Sequence, residues 1–212
     1  MPLNLIRIEG LRCLTEIEFS PHPKRTYFFG PNGAGKTSLL EAAYILGRGR
    51  SFRTRHSRRL IQHGQERFSI YGEFSLNERV HRLGVGLGTE GLESRLDSEP
   101  AIGMSSLAKI MPVHVIDPNI HRLIEGGPGD RRRFLDWGVF HVEPGYIEVW
   151  RRYRRALSQR NAALKLGRAS DVWNAGLLEA GKKVDLARKL YSGELLAALE
   201  GLGEELLGSP LE

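Results

Sequence analysis

Cysteine is nearly absent from this sequence, and long apolar runs are absent altogether. The single cysteine, Cys13, excludes a disulfide framework and a cluster of thiolate metal ligands. No run of the roughly 18 apolar residues that a membrane helix needs occurs, and the stretch from Met1 to Arg7 has no extended apolar signal core. With 41% hydrophobic residues in 212, the chain can build a core. We therefore expect a soluble, cytoplasmic, globular protein without a membrane partner.

Acidic residues are missing from some stretches of the chain, and basic residues are missing from others. Six arginines and no acid lie between Arg48 and Arg59, and ten basic residues face three acidic ones between Arg131 and Arg168. From Ser192 to Glu212 there are five glutamates and no base. Dense basic blocks are typical of surfaces that meet a polyanion, although an ordinary solvated face of arginines has the same composition.

A complete phosphate-loop motif, G-x-x-x-x-G-K-[ST], lies between a β-prone segment and an apolar helix. The preceding residues 26–29 are Thr-Tyr-Phe-Phe, and residues 38–46 carry apolar side chains on most faces, as a buried helix would. This context separates the motif from an incidental glycine-rich turn. Its residues are Gly30, Pro31, Asn32, Gly33, Ala34, Gly35, Lys36 and Thr37, followed by Ser38.

The motif predicts a site for a nucleoside triphosphate with Mg²⁺. Glycines allow a tight turn in which successive backbone N–H groups face phosphate oxygens at the positive end of the helix. Lys36 is expected to reach the β- and γ-phosphates, and the Thr37 hydroxyl is expected to take one Mg²⁺ position.

Two short alternating segments precede the phosphate loop and predict an opening β-hairpin. Residues 3–8 and 15–19 alternate apolar and polar side chains around a turn at residues 9–12. An antiparallel pair before the loop favours an ABC-type ATPase head over a nucleotide kinase. Further strands are expected at residues 68–74, 79–87 and, more weakly, 92–96. A buried strand is expected at residues 111–116, and Pro118 closes it.

After Pro144 the pattern predicts two antiparallel helices, the first with an apolar seam and a basic flank. The second helix is expected from about Asp171 to Leu199, with apolar residues from Trp173 to Tyr191 alternating spacings of four and three. Ordinary core packing accounts for both apolar stripes. The seam of the first helix comprises Ile147, Trp150, Tyr153, Leu157 and Leu164, and its flank comprises Arg151, Arg152, Arg155 and Arg160.

A second motif, from Leu123 to Asp136, reads Leu-Ile-Glu-Gly-Gly-Pro-Gly-Asp-Arg-Arg-Arg-Phe-Leu-Asp and resembles the signature of the RecF family. That signature is roughly P-[DE]-x-x-x-L-I-x-G-G-P-x-x-R-R-x-F-L-D, and Pro118 begins the match. Asn119 departs from it, since an acid is usual there. Residues 49–53 and 159–164 also resemble RecF, so the resemblance covers nearly the whole chain.

The resemblance implies an α/β fold, namely an ABC-type P-loop ATPase head with an inserted α-helical subdomain. Proteins of this family act in bacterial DNA repair, replication-fork maintenance and the SOS response. They bind ATP, form an ATP-dependent homodimer, bind single-stranded or gapped DNA and single-strand/duplex junctions, and help a partner to load recombinase. Their hydrolysis is slow. The arginines expected to contact DNA are Arg50, Arg53, Arg131, Arg132, Arg151, Arg152 and Arg155. The alternative role for Arg131 and Arg132 is pairing with carboxylates inside the head.

The C-terminal half of such a head, with its serine-glycine-glutamine signature and acid-ending strand, has no counterpart in this sequence. We therefore expect an N-terminal portion, with a first ATPase lobe over residues 1–120 and a helical subdomain over 121–212. One side of a γ-phosphate site alone should not hydrolyse ATP. Asp117 is the nearest imitation of an acid-ending strand and a weak candidate for ordering Mg²⁺.

Two alternative functions remain compatible with parts of the pattern. A self-contained phosphoryl-transfer kinase would use Lys36, Thr37 and Asp117, although the antiparallel opening and the motif from Leu123 argue against it. A non-enzymatic basic DNA-binding module would keep the phosphate loop without using it. Nucleotide titration separates the last alternative from the others, and a phosphorylated small-molecule product would identify the kinase.

Overall fold

The structure is a computed structural model that describes residues 3–76, 78–101, 103–168 and 171–208. The chain divides into two compact units, one ending at Ile116 and the other beginning at Asp117. This division lies close to the boundary expected after residue 120.

The first unit is built on a six-stranded antiparallel sheet in the order β2-β1-β3-β4-β5-β6. The expected opening hairpin is confirmed, with Ile8 opposite Ile17 and Leu11 opposite Leu14. The three strands expected between residues 68 and 96 are confirmed as well. The bounds are β1 Leu3–Leu11, β2 Leu14–Phe19, β3 Phe68–Leu76, β4 Arg79–Gly88, β5 Gly91–Leu96 and β6 Glu99–Pro100.

Two helices, α1 (Lys36–Arg48) and α2 (Met104–Ile110), complete the first unit. Alternate strand residues such as Ile8 and Ile70 join Leu46 of α1 in a buried cluster. Each fully buried aliphatic side chain contributes about 1.5–3 kcal/mol relative to exposure. The close approach depends on Gly72, because a Cβ there would lie 2.3 Å from Cδ2 of Leu46. This packing holds the helix that follows the phosphate loop against the sheet.

The strands expected at residues 26–29 and 111–116 do not form, so that part of the prediction is wrong. Both segments are β-prone, but a strand also needs a neighbouring strand to accept and donate its ladder hydrogen bonds. No strand in the described part of the chain pairs with either segment. Phe29 is 94% exposed and Ile116 is 83% exposed, whereas the sequence indicated that the second segment is buried.

The second unit is helical. Its helices are α3 (Arg122–Glu125), α4 (Pro128–Val142), α5 (Tyr146–Lys165) and α6 (Asn174–Leu207), with 3₁₀ turns at Pro118–His121 and Asp171–Trp173. The two long helices expected after Pro144 are confirmed as α5 and α6, which pack on each other. Their connection runs from residue 166 to 173, and its Ala169 and Ser170 lie outside the described residues.

The apolar seam between α5 and α6 follows the expected stripes except at Leu164, which is 50% exposed. Ala180 and Val184 of α6 are buried, and Trp150 and Tyr153 of α5 are half-buried. Gly181 of α6 lies beside the ring of Tyr153, where a Cβ would make an ordinary contact at 3.6 Å. The seam fixes which face of α5 remains outside, and that outer face carries the arginines.

Candidate functional site

The phosphate loop has the backbone conformation that its glycines predict. Gly30, Gly33 and Gly35 adopt φ angles of 147°, 86° and 91°, a range that residues other than glycine rarely adopt. At Gly35 a second constraint applies, because a Cβ would lie 2.6 Å from Cδ2 of Leu14 on β2. Leu14, at the start of β2, therefore packs against the end of the loop. Helix α1 begins at the next residue, Lys36.

Lys36 is folded over the mouth of this loop. Its Nζ donates to the carbonyl oxygens of Gly30 and Pro31, each at 2.8 Å. The ammonium group is thereby held where the loop backbone and the first turn of α1 converge. The positive end of a helix and a fixed ammonium group together favour a bound phosphate, so the donor set present fits a triphosphate.

Thr37 and Ser38 point to different surroundings. Thr37 is exposed, which leaves its hydroxyl available to a metal ion. Ser38 is buried, with its Oγ 3.8 Å from Sγ of Cys13. The Ser38 hydroxyl therefore faces the packing beneath the loop, and its place among the nucleotide-binding residues stays a prediction.

Glu41 is the centre of a buried polar cluster that sequence reasoning missed. The carboxylate is fully buried one turn beyond Lys36, and Nε and Nη2 of Arg12 donate to its two oxygens at 3.1 and 3.0 Å. Ser51 donates to the same carboxylate, and Nη1 of Arg53 lies 3.7 Å from it. A single acid inside an otherwise apolar helix was the signal that could have identified this cluster.

The cluster joins three segments that are separate in sequence. Arg12 has a φ of 59°, an uncommon left-handed conformation for a residue with a side chain. Its Nη1 also donates to the carbonyl oxygen of Arg59 at 2.9 Å. The β1–β2 turn, helix α1 and the arginine-rich segment 48–59 are thus held together around one carboxylate.

The two arginines expected to contact DNA in segment 48–59 have different environments. Arg53 pairs with Glu41, so its charge is partly committed inside the unit. Arg50 is exposed, and within the described part of the chain it forms no hydrogen bond or ion pair. Arg48 lies with its guanidinium carbon 5.7 Å from the centre of the Tyr44 ring, and burial lowers the pKa of this arginine.

The motif from Leu123 to Asp136 forms a helix turn followed by the start of α4. Gly126 is required there, because a Cβ would lie 2.2 Å from the carbonyl oxygen of Arg122. Arg131 donates from Nη1 to the carbonyl oxygens of Gly126 and Ile124, at 2.9 and 3.4 Å. Arg131 therefore secures the end of α3, in place of the carboxylate pairing that the sequence left open.

The other arginines of this motif are more exposed. Arg133 pairs with Asp130 on the same helix. Arg132 is exposed and, among the residues that the structure describes, has no hydrogen-bond or ion-pair partner. Of the two motif arginines expected at DNA, only Arg132 presents its guanidinium group outward without an internal role.

Asp136, the last residue of the motif, ties three helices together. It accepts hydrogen bonds from Oη of Tyr146 at 2.5 Å and Nε1 of Trp150 at 2.9 Å, both on α5. Arg188 of α6 donates from Nε and Nη2 at 2.8 and 3.0 Å. Burial, followed by the hydrogen bond to Asp136, raises the pKa of Tyr146 well above its usual range. The motif is thus also a structural element of the helical unit.

The outer face of α5 carries the remaining arginines expected at DNA. Arg151, Arg152 and Arg155 are all exposed on this helix. Arg154 lies with its guanidinium carbon 5.6 Å from the centre of the Trp150 ring. Because the Trp150 nitrogen is committed to Asp136 and its ring to Arg154, this face offers guanidinium groups rather than an open aromatic platform.

The sequence offers Asp117 as a weak candidate for ordering Mg²⁺, and it predicts no membrane helix. Asp117 is half-buried, and no strand precedes it, unlike the acid-ending strand of an ATPase metal site. Among the described residues, no group of three or more histidine, cysteine, aspartate or glutamate side chains is placed to hold a metal ion. No helix in the described ranges has the length and apolar character needed to cross a membrane.

Comparison with known proteins identifies relatives along almost the whole chain. Residues 5–82 match the model of an AAA domain family. The DNA replication and repair protein RecF of Stenotrophomonas maltophilia is 40% identical over 97% of this chain, and that of Azotobacter vinelandii is 38% identical over 98%. The chain spans 59% and 58% of the length of these two relatives.

Solved structures give the same result for the fold. The recombination mediator RecF with ATPγS superposes with a TM-score of 0.84 at 23% identity, covering 99% of this chain and 59% of that one. The Smc head domain from Pyrococcus furiosus, bound to part of ScpA, gives a TM-score of 0.54 at 16% identity, covering 96% of this chain and 60% of that one. The expected fold class is confirmed: the chain is the N-terminal portion of an ABC-type ATPase head with an antiparallel sheet and added helices.

Proposed function

The chain belongs to the RecF family, and we propose that it is the ATP-binding and DNA-binding portion of a cytoplasmic recombination mediator in bacterial DNA repair. The observation that carries this proposal is the phosphate loop. Three glycines with positive φ lead into α1, and the ammonium group of Lys36 lies over the turn. A turn of this shape at a helix start is suited to polyphosphate and has little other use.

In this proposal the residues of the loop have separate roles toward Mg²⁺-ATP. Backbone N–H groups from Gly33 to Lys36 bind the phosphates, and Lys36 exchanges its carbonyl partners for β- and γ-phosphate oxygens. The Thr37 hydroxyl, which is exposed, would be a ligand of Mg²⁺. Bound Mg²⁺ would neutralise charge on the phosphates. Asp117 has no role, since it does not end a strand.

DNA binding is assigned to the exposed guanidinium groups of two surfaces, one in each unit. In the sheet unit the group belongs to Arg50. In the helical unit the groups belong to Arg132 of α4 and to Arg151, Arg152 and Arg155 of α5. Contacts of this kind are made to phosphate groups and carry little sequence information. We expect gapped or single-strand/duplex DNA to bind with strong salt dependence and slight sequence preference.

We propose that this chain takes part in the activities of a whole RecF protein, of whose length it spans 59%. They include the ATP-dependent homodimer, contact with a mediator partner and recombinase loading. Hydrolysis needs charge stabilisation and water positioning on both sides of the γ-phosphate. The 212-residue chain should therefore release no phosphate above background, even with DNA present.

Direct titration with Mg²⁺-ATP tests the proposal. Saturable binding that depends on Lys36 supports it. Absence of binding would favour the DNA-binding module that keeps an unused loop. Phosphate release abolished by Asp117→Ala, with a phosphorylated small-molecule product, would instead establish the kinase.

A further inference from the structure

Strand β4 alternates buried apolar residues with glycine along its second half. Residues 83–88 read leucine, glycine, valine, glycine, leucine, glycine. The leucines and the valine are buried in the core of the sheet unit. The outward positions of this half-strand, Gly84, Gly86 and Gly88, therefore present bare backbone to the opposite face of the sheet.

The fold does not require glycine at every one of these three positions. None of the three has a positive φ. A Cβ on Gly84 would lie 4.0 Å from Cβ of Arg95, and one on Gly88 would lie 3.8 Å from Cβ of Arg67, both ordinary contacts. Only Gly86 is tighter, at 3.2 Å from the carbonyl oxygen of Phe68. Glycine weakens a strand, and in a strand interior it often marks a bulge, a bend or a site that a ligand or another backbone approaches closely. The register of β4 with β3 and β5 is continuous through these glycines, so they do not mark a bulge.

The glycines form the floor of an open trough. Tyr71 and Ser69 of β3 stand on one side, and Arg95 and Glu93 of β5 stand on the other, each opposite Gly84 or Gly86 in the strand register. Two adjoining cavities, of about 220 and 940 Å³, follow this trough toward the β4–β5 turn. Successive outward positions along a strand are roughly 6.6 Å apart, which is also the repeat of an extended peptide laid along it.

The wide end of the trough is acidic. Glu66, Glu90 and Glu93 line it, against the single base Arg67. Beside it on the same face, Glu9 of β1 accepts a hydrogen bond from Ser69 at 3.1 Å. In a chain with a net charge of +6, this is a surface that repels nucleic acid and attracts cations.

The narrow end adds an aromatic wall. Oη of Tyr71 donates to Glu73 at 2.5 Å, which fixes the ring beside Gly84. Positive charge is already present at this end, because Arg82 lies 3.6 Å from Glu73 and Arg95 stands opposite Gly84. The aliphatic stem of a lysine or arginine can therefore lie along the glycine floor with its cation at the acidic wide end. A side chain at Gly84 would occupy that space.

We propose that this trough is a docking groove for an extended, lysine- or arginine-bearing segment of a partner protein. The proposal does not depend on nucleotide binding, so the two can fail separately. It accounts for three glycines that weaken β4, for the open volume above them and for the acidic end in a basic protein.

Titration of the full chain with a defined peptide, followed by backbone amide NMR, tests the groove. The probe is a seven-residue peptide of alternating threonine and lysine, blocked at both ends, and the control peptide has glutamate for lysine. The lysine peptide should shift the amide signals of Gly84, Gly86 and Gly88, and the glutamate peptide should not.

A double variant, Gly84→Thr with Gly88→Thr, separates binding from folding. Threonine favours strands, so the melting temperature should rise or stay unchanged while peptide affinity falls at least tenfold. Replacing Glu200 and Glu204 of α6 by glutamine removes acidic charge elsewhere and should leave affinity within twofold. Equal peptide affinity in the wild type and the threonine variant would overturn the proposal. So would peptide-induced shifts of the amide signals of the α6 glutamates, or the same shifts of the glycine signals on addition of duplex DNA.

Discussion

Arg12 holds both carboxylate oxygens of Glu41, at 3.1 and 3.0 Å, inside the sheet unit. The pair joins the β1–β2 turn to the phosphate-loop helix across 29 residues of sequence. Because Leu14 of the same turn supports Gly35, the pair also stabilises the position of the phosphate loop. A buried charged pair in this place fixes α1 and the β1–β2 turn on either side of Gly35, the buried end of an otherwise exposed loop.

We expect Glu41→Gln to destabilise the protein by about 3 kcal/mol, since breaking a buried ion pair leaves an uncompensated charge. Arg12 and Arg53 would then face each other without a carboxylate between them. Urea unfolding measures the change. Glu16→Gln, at an exposed glutamate of β2, is the matched control and should be near neutral. Equal unfolding midpoints for the two variants would contradict the structural role of Glu41.

Tyr146 predicts a loss of stability at alkaline pH. Burial and the hydrogen bond to Asp136 raise its pKa in the folded state, whereas an unfolded tyrosine titrates near pH 10. The folded state therefore holds this proton more tightly, and its contribution is fully present below about pH 10 and is lost as the pH rises further. Thermal melting from pH 8 to 11 should fall more steeply for the wild type than for Tyr146→Phe. Parallel curves would show that Tyr146 does not contribute.

The arginines of α5 predict a salt effect on DNA binding. If Arg151 and Arg155 contact phosphates, replacing both with alanine should reduce the slope of log affinity against log salt by nearly two units. The matched control is Lys183→Ala with Lys189→Ala on α6. These cations pair with Glu179 and Asp185 on their own helix, and their removal should change the slope little. An unchanged slope in the arginine variant would leave those residues as a solvated face.

The exposed aromatics before the phosphate loop predict self-association of the 212-residue chain. Tyr27 is 76% exposed and Phe29 is 94% exposed, and their segment has no strand partner among the described residues. Burying two such rings is worth several kcal/mol at about 25 cal/mol per Å². Sedimentation should show concentration-dependent association that Tyr27→Ser with Phe29→Ser reduces.

Val172→Ser is the control for that experiment, because it removes another exposed apolar side chain, in the helical unit. A longer chain with the remaining length of the family should sediment as a monomer without ATP and as a dimer with it. A monodisperse monomer at every protein concentration would contradict the expected self-association of the 212-residue chain.

Local patterns in the sequence predicted the elements that depend on local chemistry. The alternation in β1, β3 and β4 and the spacing of the seam in α5 and α6 were sufficient to find those elements. The phosphate loop and the fold class also followed from the sequence, the latter through the resemblance of the motif from Leu123.

Features that depend on distant partners were not predictable in this way. The segment 26–29 has strand propensity but no neighbour with which to form a ladder. The environment of Arg53 depends on Glu41, and that of Asp136 on Arg188, 52 residues away. The signature motif that ends at Asp136 identified the family. Only the packing of three helices shows which groups the Asp136 carboxylate binds.

The central claim is that the loop from Gly30 to Ser38 binds Mg²⁺-ATP, and calorimetric titration of wild type and Lys36→Ala tests it most directly. Loss of a charge-assisted contact worth roughly 1.5–3 kcal/mol should weaken binding at least about tenfold. Lys109→Ala, at an exposed lysine of α2, should bind as the wild type does. Equal affinity in wild type and Lys36→Ala would contradict the assignment of the nucleotide site.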